Sequence, residues 1–153
     1  MNSDFKDLLA LLDRFGVRYL VVGGYAVMLY TEPRYTKDID IFVGVTDQEI
    51  ESIGRAFEEF GFPMTPDLLE QLKLPNRMIS IGRAPSRIDV LNELTGIDFD
   101  AAWQRRNVVS IEGLAVPFIS LADLVEAKRA SGRPQDLLDL RSLEPLMRPA
   151  SEV

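Results

Sequence analysis

The stretch VVGGYAVMLYTEPRYTKDIDIFV, residues 21–43, decides how this chain is read. Residues 17–22 are rich in β-branched and aromatic side chains and predict a strand. Gly23-Gly24 then turns the chain into a short apolar helix over about residues 25–30, which Pro33 stops. Asp38-Ile39-Asp40-Ile41-Phe42-Val43 predicts a second strand. Because strand side chains alternate between faces, Asp38 and Asp40 share one face about 7 Å apart at Cα, while Ile39 and Ile41 enter the core on the other. Two carboxylates so placed repel unless a cation stands between them. Their spacing suits one or two Mg²⁺ ions of the kind that clamp the oxygens of a phosphoryl transfer. Glycines before a helix let backbone amides approach a phosphate, and the helix adds its positive end.

Outward from this stretch, the punctuation predicts alternating short strands and helices. Ser3 is placed to cap a first helix bearing Phe5, Leu8, Leu9, Leu11 and Leu12, closed by Gly16. Thr46 with Glu49 predicts a capping box for a helix ending at Gly61. A turn or two of helix is expected over residues 67–72. Residues 77–82 and 87–91 predict two neighbouring strands around an Arg83-Ala84-Pro85-Ser86 loop. A short helix is expected around Trp103, then strands at residues 108–111 and 114–118 flanking Glu112-Gly113. Ser120 with Asp123 starts a helix closed by Gly132, and Pro134 opens a last helix to about Leu146. The expected architecture is an α/β (α+β) domain, a small mixed sheet flanked by helices. It occupies residues 1–148, and residues 149–153 form a frayed tail.

Composition narrows the chemistry. The chain has 153 residues, enough for one core, with neither cysteine nor histidine. Thiolate nucleophiles, Cys- or His-ligated zinc and Ser-His-Asp triads are thereby excluded, leaving carboxylates, Lys, Arg, hydroxyls and hard, oxygen-bound metals. The acidic start of the chain does not read as a signal peptide, and no stretch reaches membrane-spanning length, so a cytoplasmic protein is the expectation. A net charge of −7 disfavours indiscriminate nucleic-acid binding, although residues 77–133 carry a net +1 that would admit an anion. A third carboxylate comes from Arg87-Ile88-Asp89-Val90-Leu91, where Asp89 alternates with apolar neighbours and would complete the cluster from an adjacent strand. Asp89 pairing with Arg87, or facing water, is the structural alternative.

In order, Gly23, Gly24, Asp38, Asp40 and Asp89 resemble the polymerase-β-like nucleotidyltransferases: strand, Gly-Gly, helix, Asp-x-Asp strand, third Asp. More closely, Lys128, Gly132, Arg133 and Asp136 resemble the C-terminal pattern of small bacterial members related to abortive-infection type nucleotidyltransferase toxins. The resemblance implies transfer of a nucleoside monophosphate from an NTP to a hydroxyl, with pyrophosphate leaving. It further implies that Asp38, Asp40 and Asp89 hold Mg²⁺ or Mn²⁺, that Asp89 helps deprotonate the acceptor, that Gly23 and Gly24 cradle the triphosphate, and that Lys128 neutralises the leaving pyrophosphate. Thr36 and Lys37, with Arg34, precede the metal strand and would reach a phosphate or base. The acceptor implied is an RNA end or a protein, and the role implied is that of a toxin with an antitoxin partner. Two rival readings are a non-catalytic nucleotide- or metal-binding interaction module and a small-molecule, antibiotic-type nucleotidyltransferase. Arg105 and Arg106 are open between surface charge and acceptor contact. Arg133 and Asp136 read first as a pair at a helix start, and Tyr25 and Tyr30 as packing residues.

Overall fold

A computed structural model describes residues 1–33, 38–83 and 86–147. Thr36, Lys37, Arg34, Ala84, Pro85 and the expected tail lie outside the described residues. The chain runs α1 (Ser3–Arg14), β1 (Tyr19–Val22), α2 (Gly23–Tyr30), β2 (Asp38–Val43), α3 (Asp47–Phe60), α4 (Pro66–Gln71), β3 (Met78–Ile81) and β4 (Arg87–Leu91). It continues through α5 (Phe99–Gln104), β5 (Asn107–Ile111), β6 (Leu114–Phe118), α6 (Leu121–Ser131) and α7 (Pro134–Leu143), then a 3₁₀ turn, Glu144–Met147.

The strands form one mixed sheet in the order β3-β4-β2-β1-β6-β5, flanked by the helices. β1 runs antiparallel to β2 and parallel to β6, whereas β2 runs parallel to β4. Parallel neighbours need a long connection, and here α3, α4 and β3 separate β2 from β4. This crossover brings two carboxylate-bearing strands side by side. The β3–β4 pair is the expected antiparallel hairpin.

On β2 the alternation is as the sequence predicts: Ile39 and Ile41 are fully buried, while Asp38 and Asp40 are only partly so. α1 contributes Phe5, Leu8, Leu9 and Leu12 to the same core that receives Ile50, Ile53, Ala56 and Phe57 from α3. Apolar residues at helical spacing therefore close over the strands.

Helix ends follow local chemistry, with three departures from expectation. The N-cap of α1 is Asn2, whose side chain accepts from Asp4 N at 2.7 Å, so Ser3 is already helical. α2 begins at Gly23 rather than near Tyr25, because a glycine at φ +65° enters the helix directly from the strand. The last α-helix stops at Leu143 and tightens into the 3₁₀ turn because Pro145 offers no N–H to continue it. The Thr46–Glu49 capping box is present. Glu49 does more than cap: buried, it accepts from Arg18 Nη2 at 2.8 Å and Nε at 3.0 Å. Burial alone would raise its pKa, but the bonds from Arg18 and Thr46 hold it below the usual range. This clip ties the entry to β1 onto the start of α3.

Candidate active site

The register of three strands builds the site. Asp40 on β2 is level with Val22, the last residue of β1, and with Asp89 on β4. Neighbouring strands lie roughly 4.8 Å apart, so the two carboxylates meet on one face of the sheet. Gly23 follows Val22 and abuts the Asp40 side chain. A Cβ at Gly23 would collide with Asp40 Oδ2. The glycine is needed twice, for its positive φ and for the close approach of the carboxylate.

Asp89 is 3% exposed, and both its oxygens are engaged. Ser80 Oγ, level with it on β3, donates to Oδ1 at 2.6 Å, and Arg87 Nη2 donates to Oδ2 at 3.0 Å. The same Arg87 nitrogen stands 3.0 Å from Asp38 Oδ2. The pairing of Asp89 with Arg87 and its place in the acidic cluster thus coexist. Burial, then the negative charge of Asp89, raises Asp40 to about 7; Asp38 adds to the shift and Arg87 opposes it.

These side chains floor a cleft of about 590 Å³ whose opposite wall comes from α6 and α7. Gly23, Asp40, Asp89 and Arg87 lie on the sheet side, and Lys128, Arg133 and Asp136 on the helical side. Asp38 and Gly24 stand beside this group without lining the cleft. Lys128 Nζ pairs with Asp136 Oδ1 at 2.9 Å and with Asp139 Oδ2 at 3.0 Å. Arg133 Nε donates to Asp136 Oδ2 at 3.0 Å. Burial works to raise Asp136, but hydrogen bonds from Lys128, Ser131 and Arg133 outweigh it and hold this carboxyl well below the usual range.

The remaining open residues are accounted for away from the cleft. Arg105 forks onto buried Asp123 at 2.9 and 3.0 Å, and Arg106 lies over the Trp103 ring at 4.0 Å. Tyr25 packs edge-on against Phe5, and Tyr30 donates to the carbonyl of Ile119 at 2.7 Å.

The donor set is oxygen only, as a hard divalent cation requires, and among the described residues its negative charge exceeds what Arg87 offsets. It therefore fits such an ion chemically. As arranged, no three acidic side chains among the described residues are gathered closely enough to enclose one. Sequence reasoning missed Ser80, Asp139 and the bridging position of Arg87. Each had a signal: Arg87 and Asp89 share a strand face, Ser80 opposes Asp89 in the hairpin register, and Asp136 and Asp139 share a helix face.

Three solved structures share the fold. The antigenic nucleotidyltransferase-like protein of Paracoccidioides brasiliensis is 17% identical, with 96% of this chain and 77% of that one covered at a TM-score of 0.55. A lincosamide antibiotic adenylyltransferase with lincomycin bound is 15% identical, covering 96% and 98% at 0.56. The antibiotic-resistance factor ANT(2″)-Ia is 14% identical, covering 95% and 83% at 0.61. Such distant likeness defines a nucleotidyltransferase fold. The sequence supplies the family: residues 2–147 match the family described as nucleotidyltransferase of unknown function (DUF6036), and the chain belongs to it. No curated protein matches the sequence. The expected superfamily and the expected enzyme class, a nucleotidyltransferase, are both met.

Proposed function

We propose that this nucleotidyltransferase is divalent-cation dependent, with Asp38, Asp40 and Asp89 holding Mg²⁺ or Mn²⁺, and that it moves a nucleoside monophosphate from an NTP to a hydroxyl. One observation carries the reading: Asp40 and Asp89 stand abreast at the floor of a cleft that Gly23, the start of α2, also lines. Among the described α-helices, α2 alone has neither a side-chain cap nor an acidic residue in its first turn. Its amides and dipole are left for an anion, which suits the triphosphate at Gly23 and Gly24. When bound, the cation supplies Lewis-acid stabilisation of the α-phosphate and lowers the pKa of the attacking hydroxyl. The hydroxyl oxygen bonds to the α-phosphorus, the bond to the bridging oxygen breaks, and pyrophosphate leaves. Asp89 takes up the hydroxyl proton. Lys128, with Thr36 and Lys37 ahead of β2, serves the phosphates.

The test is incubation with each α-³²P NTP and Mg²⁺ or Mn²⁺ in cell extract, tracing label to RNA, protein or small molecule. Metal with NTP is expected to raise the melting temperature more than either alone, since both share one site. No label and no shift at millimolar ligand would return the chain to an interaction module.

A small-molecule acceptor is the second reading. It is favoured by structural neighbours described as lincomycin-bound and as complexed with adenylyl-2″-tobramycin, and by a net charge of −7 that suits a polyanionic acceptor poorly. Label on RNA or protein would instead favour the toxin-type role with an antitoxin partner. No described helix is long and apolar enough to cross a membrane.

A further inference from the structure

We propose that Arg87 is a place-holding cation: it bridges Asp38 and Asp89 before the metal arrives, competes with the metal for them, and must swing aside when it binds. The inference rests on the metal reading above and adds a residue to it. A single guanidinium nitrogen, Nη2, reaches both carboxylates at 3.0 Å each, and these are two of the three carboxylates assigned to the metal above. The register produces this: Arg87 is level with Asp38 across the β2–β4 pair and two residues before Asp89 on the same face.

Two features make the seat one that Arg87 can leave. Its Nε–H is buried with no acceptor among the described residues, so the guanidinium does not dock as a full fork. An unpaired buried donor weakens the bound position. The side chain as a whole is 44% exposed and lines the cleft, so it has room to move into solvent. A cation in this seat lowers the repulsion among Asp38, Asp40 and Asp89 in the metal-free protein, and any ion that enters must displace it.

The experiment is Mn²⁺ binding followed by the loss of the free-ion paramagnetic resonance signal, with thermal melts in EDTA and in saturating Mn²⁺. Wild type, Arg87→Met and Arg87→Lys are compared. Removing a competing cation is expected to tighten Mn²⁺ binding by roughly three- to thirtyfold in Arg87→Met. Arg87→Lys, charged but too short to span both carboxylates, is expected to fall between. In EDTA the Met variant melts below wild type, and saturating Mn²⁺ narrows that gap. Should Arg87→Met fail to fold, Arg87→Lys decides: tighter binding than wild type supports the proposal. Unchanged or weaker Mn²⁺ binding in the folded variants, with binding by wild type intact, overturns the role of Arg87 and leaves the metal site standing. Absence of Mn²⁺ binding from wild type and variants alike overturns both.

Discussion

The two walls of the cleft are both built from aspartates and basic residues and differ in how far their charges balance. On the helical wall Lys128 sits between Asp136 and Asp139, and Arg133 closes on Asp136 from outside, so charges balance. On the sheet wall Asp40 and Asp89, with Asp38 beside them, share Arg87 among the described residues. The balanced cluster drives Asp136 to greater acidity, whereas the unbalanced one drives Asp40 up to about 7. A carboxylate surrounded by donors contributes to the fold; a carboxylate crowded by its own kind is held there at a cost. The helical wall therefore clamps α6 to α7, and the sheet wall, among the described residues, keeps an excess of negative charge.

The largest expected effect falls on the sheet wall. Asp40→Asn keeps the size of the side chain but removes a charge, so transfer is expected to fall by at least about two to three orders of magnitude, the scale of losing one preorganised electrostatic contact. Because the same change relieves repulsion wherever Asp40 is ionised, the metal-free variant should melt at or above wild type above about pH 7. Labelled-NTP turnover and melts in EDTA check the pair of outcomes. Full activity with Mg²⁺ would sink the metal assignment, and a large fall in melting temperature would make the two walls alike.

On the helical wall the order of effects reverses. Lys128→Ala leaves two buried aspartates without their ammonium, and breaking a buried pair from one side costs about 3–5 kcal/mol. Chemical denaturation measures this directly. Lys128→Met, which fills the volume, separates lost packing from lost charge. The proposed phosphate role adds a second reading of the same variant: calorimetric titration should show ATP binding weakened more than AMP binding. Equal losses for the two ligands would leave Lys128 as a clamp alone.

Much of the sheet wall is legible in the sequence, because period-two alternation fixes which side chains share a face. Asp38-Ile39-Asp40-Ile41 assigns its own inside and outside, and Gly23-Gly24 marks the turn that brings a helix end beside it. The pairing of β2 with β4 was not legible in detail, since a parallel partner is chosen by the crossover rather than by the strand's own pattern. For that reason Arg87 read as one alternative for Asp89 and not as a bridge to Asp38. The helical wall was hardest. Asp139 reads as an ordinary surface acid at one turn's distance from Asp136, and only the packing of α7 on α6 buries both against Lys128. Ser3 was misread as a cap for a simpler reason: Asn2 is as good a cap and stands one residue earlier.

Acidity separates the walls in a third way. Between about pH 4 and 7, folded Asp40 keeps a proton that the unfolded chain, with its ordinary value of 3.8, has already released. Stability of the metal-free protein therefore falls as pH rises through that window and levels off above it. Asp136 runs the other way: its lowered pKa contributes stability above the unfolded value, lost only as the pH drops below it. Melts in EDTA between pH 5 and 8 should show the decline in wild type and a flatter profile in Asp40→Asn, differing by at least about 2 °C at the ends. Parallel profiles would place the raised group elsewhere.

The smallest expected effect tests how finely the sheet wall is held. Among the described residues Ser80 reaches the site through Asp89, donating to Oδ1 at 2.6 Å from the neighbouring strand. Ser80→Ala removes a hydrogen bond to a buried carboxylate while leaving the aspartate, Arg87 and the strand register in place, at a cost of about 1–3 kcal/mol for a bond to a charged group. Ser80 is a positioning residue on this reading, so its loss should act on the geometry of Asp89 rather than on the charge of the site. Transfer is expected to fall by roughly tenfold or less, mostly in kcat, with NTP affinity little changed. Ser80→Thr, which retains the hydroxyl, should recover most of the rate, and Ser80→Cys, a weak donor, little of it. A loss shared equally by all three variants would point to packing at the edge strand, because Thr alone of the three keeps a hydroxyl that donates as Ser80 does.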